Sequence, residues 1–493
     1  MGYISKAITA CLYLGLASSA SAQTPPAAEQ STGFNSSFSL TPEQIAAAKL
    51  SAPEAASINH VLHFDRSQLA SGGPHEDDFY TLPVLTNTTG PLQPGTLLKT
   101  QAFTDPAPYA IPPNTALSRI LYTTQPHNGT VVPASAFILW PFTPRSVVEL
   151  NRTKRKEEEG TRTSYRTEEK VTKAPVVLWS HGTSGFFASA APSSHRALWY
   201  GDAAPFTLAL AGYAVYLMSR VSARDGLYAL RAARTAFADK LDDRFVVMGH
   251  SQGGGVAWGV AEVLAERDSQ EEFRDLAQGY RGTVAGSPTT DVFSGPPSFI
   301  APFVGLGLAS VFPSFRLADW FTPAGAARVD LFRALEGGIS VAQHLFMGDG
   351  TNGAQLLKDG WNETWYVEAY GESRERGPPA VPGAHGTEDV YVSYDVTNAT
   401  VAATCDTYPE SVMEFLVVDG AGHVPSLDAT RQIWLDWIQA RFEGKPPVGT
   451  KERGCKRTEL SSFLPVGQYL KVGNSFPQWA GAPQYNYQVP LGL

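Results

Sequence analysis

Basic residues are the minority charge in this 493-residue chain: 38 Lys and Arg stand against 47 Asp and Glu, a formal net charge of −9. Without a dominant positive field the chain has little with which to collect phosphates, so nucleic acid is not an expected partner. Cysteine is also scarce, with three residues, which excludes a disulfide-dense scaffold and leaves little for a thiolate metal site. No segment beyond the first residues offers about 18 unbroken apolar positions, so no transmembrane helix is expected. No Walker or dinucleotide glycine pattern occurs, and no cofactor is implied. His75-Glu76-Asp77-Asp78 follows Gly-Gly-Pro and reads as a solvated loop rather than a ligand cage; no metal is expected.

What the chain does have is apolar content, 43% against 17% charged, ample for a large core. Its first residues carry an address. Lys6 precedes an apolar run from Ala7 to Ala17, and Ala20-Ser21-Ala22 supplies small residues for cleavage, so residues 1–22 read as a signal peptide of a secreted protein. Removing that segment removes Cys11 and leaves Cys405 and Cys455, most simply one disulfide in an oxidising compartment, two buried thiols being the alternative. Asn35, Asn87, Asn128, Asn151, Asn362 and Asn398 each begin an N-x-S/T sequon, consistent with a glycosylated secretory chain.

Residues 23–71 are rich in Ala, Ser, Pro and Gln and read as a leader with one helical piece, started by Thr41-Pro42-Glu43-Gln44. From Pro94, β-rich runs at Thr96–Thr100, Leu117–Thr123 and Val131–Trp140 predict an antiparallel start to a sheet. A charged stretch between Val147 and Lys173 reads as an exposed insertion. Strands and helices then alternate, the signature of a parallel sheet with crossovers. Strands are expected at Pro175–Trp179, Gly212–Met218, Phe245–Met248, Gly282–Ala285, Ala380–Ala384 and Glu414–Val418, with an amphipathic helix at Asp225–Lys240 and a further helix at Ala429–Phe442. The fold class is α/β. Residues 291–377 interrupt the alternation with apolar helical text and are expected to form a helical cap inserted into a core of residues 72–290 and 378–446, residues 447–493 forming a tail. If the cap covers the site, Phe299, Phe303, Leu306, Leu308 and Phe312 suit an apolar acyl chain.

The stretch around which the chain is organised is Arg244–Trp258, where a buried strand breaks into Gly249-His250-Ser251-Gln252-Gly253 and resumes as a helix. A chance G-x-S-x-G is about a one-in-three event in a chain of this glycine content, so the flanking strand and helix decide the reading. A strand turning into a helix within one residue lifts the serine oxygen clear of the sheet and aims the helix's first free N–H, that of Gln252, at a reacting oxygen. Ser251 is therefore the expected nucleophile. A serine hydroxyl needs a base, and the base an acid to hold its tautomer. His423 lies in the glycine-containing loop after the strand Glu414–Val418, and Asp389 in the loop after Ala380–Ala384. Glu388 and Asp419 are the competing acids. His250 is expected to point away from the serine, and His181 and His385 to shape turns at strand ends. Thr183, with Gly182 next, is the expected second oxyanion donor, from the loop Trp179–Gly185.

These residues resemble the secretory lipases of fungi and some bacteria. The likeness runs through Phe79–Pro83, Pro94–Leu98, Pro175–Thr183, Gly249–Gly254, His423 and Trp434–Pro446. It implies an α/β-hydrolase fold with a helical cap over an acyl pocket, a lipid or other carboxylic ester as substrate, and contact with a lipid interface. It also implies that Cys405 and Cys455 match a family disulfide. A family cysteine soon after the oxyanion loop has no counterpart in Phe187–Pro192. The expected reaction is ester hydrolysis through an acyl-enzyme. Acyl transfer to an alcohol by the same triad, or a binding protein of the same fold without catalysis, are the alternatives; oligomeric state is left open.

Overall fold

A computed structural model describes residues 39–84, 91–126, 129–146, 173–218, 222–266, 271–294, 297–347, 354–371, 382–409, 412–445 and 454–469. The proposed signal segment, the centre of the charged insertion, and the sequons at Asn35, Asn87, Asn128 and Asn151 lie outside these residues.

The described strands form a ten-stranded sheet in the order β1-β2-β3-β5-β4-β6-β7-β8-β9-β10. Three antiparallel strands open it: β1 (Leu97–Thr104), β2 (Thr115–Thr124) and β3 (Val132–Pro141). β3 is antiparallel to β5 (Ala214–Met218), and from there every pairing is parallel, through β4 (Ala174–Ser180), β6 (Leu241–His250), β7 (Tyr280–Gly286), β8 (Pro382–Gly386), β9 (Val412–Val418) and β10 (Gly454–Leu460). Helices cover both faces, so the central strands are apolar at successive positions rather than alternating. On β4, Val177 and Trp179 enter one core while Val176 and Leu178 enter the other; on β6, Val246 and Met248 oppose Phe245 and Val247.

The helices in chain order begin with α1 (Pro42–Ala47), α2 (Ala52–Ser67), α3 (Pro205–Leu210) and α4 (Ala223–Ala236). They continue with α5 (Gln252–Ala265) and the short α6 (Arg274–Ala277). α4 starts where Ser222 caps the Asp225 N–H at 3.2 Å. It stops before the expected Lys240, because Phe237 leaves helical angles and is itself buried, and the turn behind it feeds β6.

Between β7 and β8 lie α7 (Pro297–Val311), α8 (Leu317–Trp320), α9 (Pro323–Leu335), α10 (Ile339–Met347) and α11 (Trp365–Gly371). They enclose their own core, and the stretch read as a leader is part of it. Rather than one helical piece, that stretch carries α1 and α2, whose Ile58, Val61 and Leu62 pack in one cluster with Leu306, Trp320, Phe332 and Leu345. Buried Arg328 of α9 ties the two segments, donating to the carbonyls of Ala48 at 3.0 Å and Leu345 at 2.6 Å and to Glu54 at 3.1 Å. A guanidinium donating from all three nitrogens satisfies both its own charge and carbonyls that helix ends leave over.

The last described segments are α12 (Tyr394–Thr407), α13 (His423–Ala429), α14 (Arg431–Phe442) and β10. β10 lies within the stretch expected to be a tail. Its text, GCKRTEL, has the charged, mostly solvent-facing composition of an edge strand, which hides it from a search for apolar runs. The expected disulfide is present: Cys455 on β10 is bonded to Cys405 on α12. Of the described sequons, Asn362 is exposed, whereas the Asn398 amide accepts from Arg457 Nη1 at 2.7 Å. Among the described residues no helix is long and apolar enough to cross a membrane.

Candidate active site

At the carboxyl end of β6 the chain turns at Ser251, with φ +59° and ψ −126°, and enters α5 at the next residue. A non-glycine residue in that region is strained, and such strain persists only where the surroundings enforce it. Here they do. The Ser251 N–H donates to Gly286 O at 2.9 Å, and its carbonyl accepts from Gly255 N at 3.1 Å and Thr289 N at 3.2 Å. Two neighbouring positions must be glycine for steric reasons. A Cβ on Gly249 would lie 2.0 Å from Gly253 O, and one on Gly253 would lie 2.0 Å from Ser180 O. The second contact also presses the start of α5 against the end of β4 and the carbonyl of His181, where the loop 181–187 begins.

Asp389 sits in the turn after β8 with its carboxylate wholly buried. Its Oδ1 accepts from the N–H groups of Tyr391 at 2.9 Å and Val392 at 3.0 Å. Its Oδ2 faces His423 Nδ1 at 2.6 Å and His385 Nε2 at 3.3 Å. Burial by itself would raise this carboxyl's pKa, but the two imidazoles more than offset it and hold Asp389 far below the usual carboxylate range. The rival acids are elsewhere: Glu388 is exposed, and Asp419 accepts from Thr387 Oγ1 at 3.5 Å. His423, expected in a loop before one helix, is instead the first residue of α13, and it is buried. With Nδ1 donating to Asp389, Nε2 is left as the acceptor, the tautomer a general base needs.

Three residues around this pair are not evident from the sequence. His385, expected only to shape a turn, directs Nε2 at Asp389 and at Val392 O, 3.0 Å away. The signal was its place four residues before the acid. His250, expected to point away from the serine, packs its ring against the proposed base, the two ring centres 4.5 Å apart. Its Nε2 meets His423 O at 3.0 Å and its Nδ1 meets Tyr200 Oη at 3.1 Å. Burial, then the neighbouring His423, keeps His250 well below the usual imidazole range. Tyr200 had no sequence signal at all.

The loop after β4 carries the expected oxyanion residues. Gly182 is buried, and its carbonyl accepts from His181 Nδ1 at 2.7 Å and Trp199 Nε1 at 3.1 Å, while Thr183 is half-buried at the following position. The Gln252 N–H opens α5 and so has no acceptor one turn earlier within the helix. A cleft of about 1330 Å³ runs along the carboxyl edge of the sheet, lined by Gln252, Val256, Phe186, Phe187 and Phe293 among others. Of the acyl-pocket residues expected from the cap, Phe303, Leu306, Leu308 and Phe312 are not in its wall. Leu306 and Leu308 are buried in the cap's own core, Phe303 packs edge-on against Phe332, and Phe312 packs against Trp365 and Tyr366. The cap helices bury those apolar faces on one another, a competitor that text alone does not reveal. Phe299 falls in α7, its side chain lying outside the described set. Among the described residues no group of three His, Cys, Asp or Glu side chains is placed to hold a metal ion.

A mostly parallel sheet, a strained serine between strand and helix, and a buried acid–imidazole pair behind two later strands define the class of the molecule. The chain matches the alpha/beta hydrolase family model over residues 176–433 and belongs to that family. It is 28% identical over 266 residues to Lipase 10 of Candida albicans, a match spanning 50% of this chain and 56% of that protein, so it aligns with about half the length of that relative. Its fold is similar to Candida antarctica lipase A in its closed state, with TM-score 0.58 and 15% identity, covering 84% of this chain and 94% of that one. The rice cell wall degrading esterase LipA of Xanthomonas oryzae is also similar in fold, with TM-score 0.51 and 13% identity, covering 70% of this chain and 100% of that one.

Proposed function

We propose that the chain is a secreted serine ester hydrolase, a lipase or carboxylesterase, working through an acyl-enzyme. One observation carries this reading: Ser251 is held at φ +59° on the carboxyl edge of the sheet where Asp389 fixes the tautomer of His423. Ser251 Oγ attacks the ester carbonyl carbon while His423 Nε2 takes its proton. The N–H groups of Gln252 and Thr183 receive the oxyanion. As the C–O bond breaks, His423 passes the proton to the leaving alcohol. Water then attacks the acyl carbon, giving up its proton to His423, and as the carbon–Oγ bond breaks His423 returns a proton to Ser251 and the acid leaves. Throughout, the Asp389 carboxylate stabilises the transient imidazolium.

Similarity to a lipase and, in fold, to an esterase supports an ester as substrate. The phenylalanines lining the cleft support an apolar acyl group. Secretion is supported by the Lys6–Ala22 text and by the disulfide. The test is a panel of p-nitrophenyl esters of rising chain length, run on the wild type and on Ser251→Ala. Rising rates with chain length are expected of a lipase, and a preference for acetate would reduce the reading to a plain esterase. A Ser251→Ala enzyme that still hydrolyses these esters at the wild-type rate would overturn it.

A further inference from the structure

Beyond the oxyanion loop and two short 3-10 turns, Ala188–Ala190 and Pro192–Ser194, the chain does something costly. Leu198, Trp199 and Tyr200 have φ of +54°, +34° and +66°, three consecutive side chains in a left-handed turn. L-residues visit this region singly; a run of three is a strained segment that the fold must enforce. All three are buried, and the turn delivers two polar groups to two different parts of the site. Trp199 Nε1 donates to the carbonyl of Gly182 at 3.1 Å. Tyr200 Oη reaches His250 Nδ1 at 3.1 Å.

The direction of the second contact follows from the other end of the ring. His250 Nε2 lies 3.0 Å from the backbone oxygen of His423, and a carbonyl can only accept, so Nε2 carries the hydrogen. His250, neutral by burial, then has a bare Nδ1, and the Tyr200 hydroxyl donates to it. The chain of donors runs Tyr200 to His250 to the carbonyl of His423, where Ser426 Oγ adds a bond at 2.8 Å. The same hydroxyl leaves no room beside the oxyanion loop: a Cβ on Gly182 would lie 2.7 Å from it.

We infer that Tyr200 and His250 are positioning residues that lock the backbone of the base His423 in register with the oxyanion loop. This rests on the reading of Ser251 and His423 as nucleophile and base. Asp389 fixes the imidazole's tautomer and its Nδ1 edge; the Tyr200–His250 relay fixes the peptide from which that imidazole hangs. Misplacement of a reacting group by about 1 Å costs on the order of 100-fold in rate without weakening substrate binding, so the relay is expected to act on kcat rather than on KM.

Three variants test it: Tyr200→Phe, which removes one hydroxyl; His250→Phe, which removes both contacts; and His250→Gln, whose amide N–H can still reach the His423 carbonyl. Each is assayed for kcat and KM on a p-nitrophenyl ester and for the rate of Ser251 labelling by a fluorophosphonate. The expected result is a kcat loss of about 10- to 100-fold for the phenylalanine variants with KM unchanged, and substantial recovery in His250→Gln. Labelling should slow in parallel. Wild-type kcat in Tyr200→Phe, a loss that appears in KM instead, or no recovery with glutamine would each overturn the relay. Absence of labelling at Ser251 in the wild-type protein would overturn the underlying reading instead, so the two failures are distinguishable.

Discussion

Replacing Asp389 by Asn tests the site most sharply, because the carboxylate is bound on both oxygens. Oδ1 accepts two backbone N–H groups, from Tyr391 and Val392, so the asparagine oxygen must occupy that position. The NH₂ is thereby forced to the place of Oδ2, facing His423 Nδ1 at 2.6 Å. Two donors cannot share that contact. His423 relieves the clash by moving its hydrogen to Nε2, which leaves no lone pair to take the serine proton. His385 is not trapped in the same way, since Val392 O stands 3.0 Å from its Nε2 as an alternative acceptor. The backbone bonds of the turn survive, so the fold should be kept while the base is in the wrong tautomer. A loss of about 10⁴-fold in kcat is expected, equivalent to about 5.4 kcal/mol of transition-state stabilisation. Steady-state hydrolysis of a p-nitrophenyl ester, with circular dichroism as the folding control, measures it. A folded Asp389→Asn enzyme retaining more than a tenth of wild-type kcat would refute the tautomer argument.

Other outcomes follow from the same contacts. Gly253→Ala places a methyl 2.0 Å from Ser180 O, so β4 and α5 must separate; a large kcat loss or loss of soluble protein is expected in expression and activity assays, and normal turnover would refute the packing argument. Asp65 is half-buried, its carboxylate set against the backbone of Gly338 and the hydroxyl of Ser340, and the loss of water around it pushes its pKa up to about 7. Because the folded state holds this proton more tightly than the unfolded chain, stability is full below the unfolded pKa near 4 and falls as pH rises toward 7. The loss amounts to at most about 4 kcal/mol. Asp65→Asn should therefore flatten the pH dependence of Tm and raise Tm relative to wild type at pH 8; an unchanged slope between pH 4 and 7 would count against it. The Cys405–Cys455 bridge closes a separation of 50 residues, so its loss in Cys455→Ala should cost about 4 kcal/mol by the loop-entropy relation. The denaturation midpoint would fall, with kcat less affected because the bridge ties β10 at the edge of the sheet.

Text and structure divide along a physical line. Patterns local in sequence were readable: the apolar runs that became β4, β6 and β9, the glycine-flanked Ser251, and the strand-end positions of Asp389 and His423 that the parallel alternation picked out. Each is marked by its own neighbours in the chain or by its place after a strand, although Asp389 and His423, 34 residues apart, meet only in the fold. What the text could not carry was the choice of partner among equally suitable surfaces. The apolar faces of α7 to α10 read equally well as a substrate wall or as packing, and the leader text named no partner for α2; the folded chain buried Leu306 and Leu308 with Ile58, Val61 and Leu62, far away in sequence. β10 carried no apolar signature because an edge strand needs none. Tyr200 could be found only once a left-handed turn had set its hydroxyl against a histidine 50 residues on. Hydrophobic periodicity records that a face is buried, whereas which face meets which is decided by long-range packing, and the finest placement of His423 depends on that second kind of information.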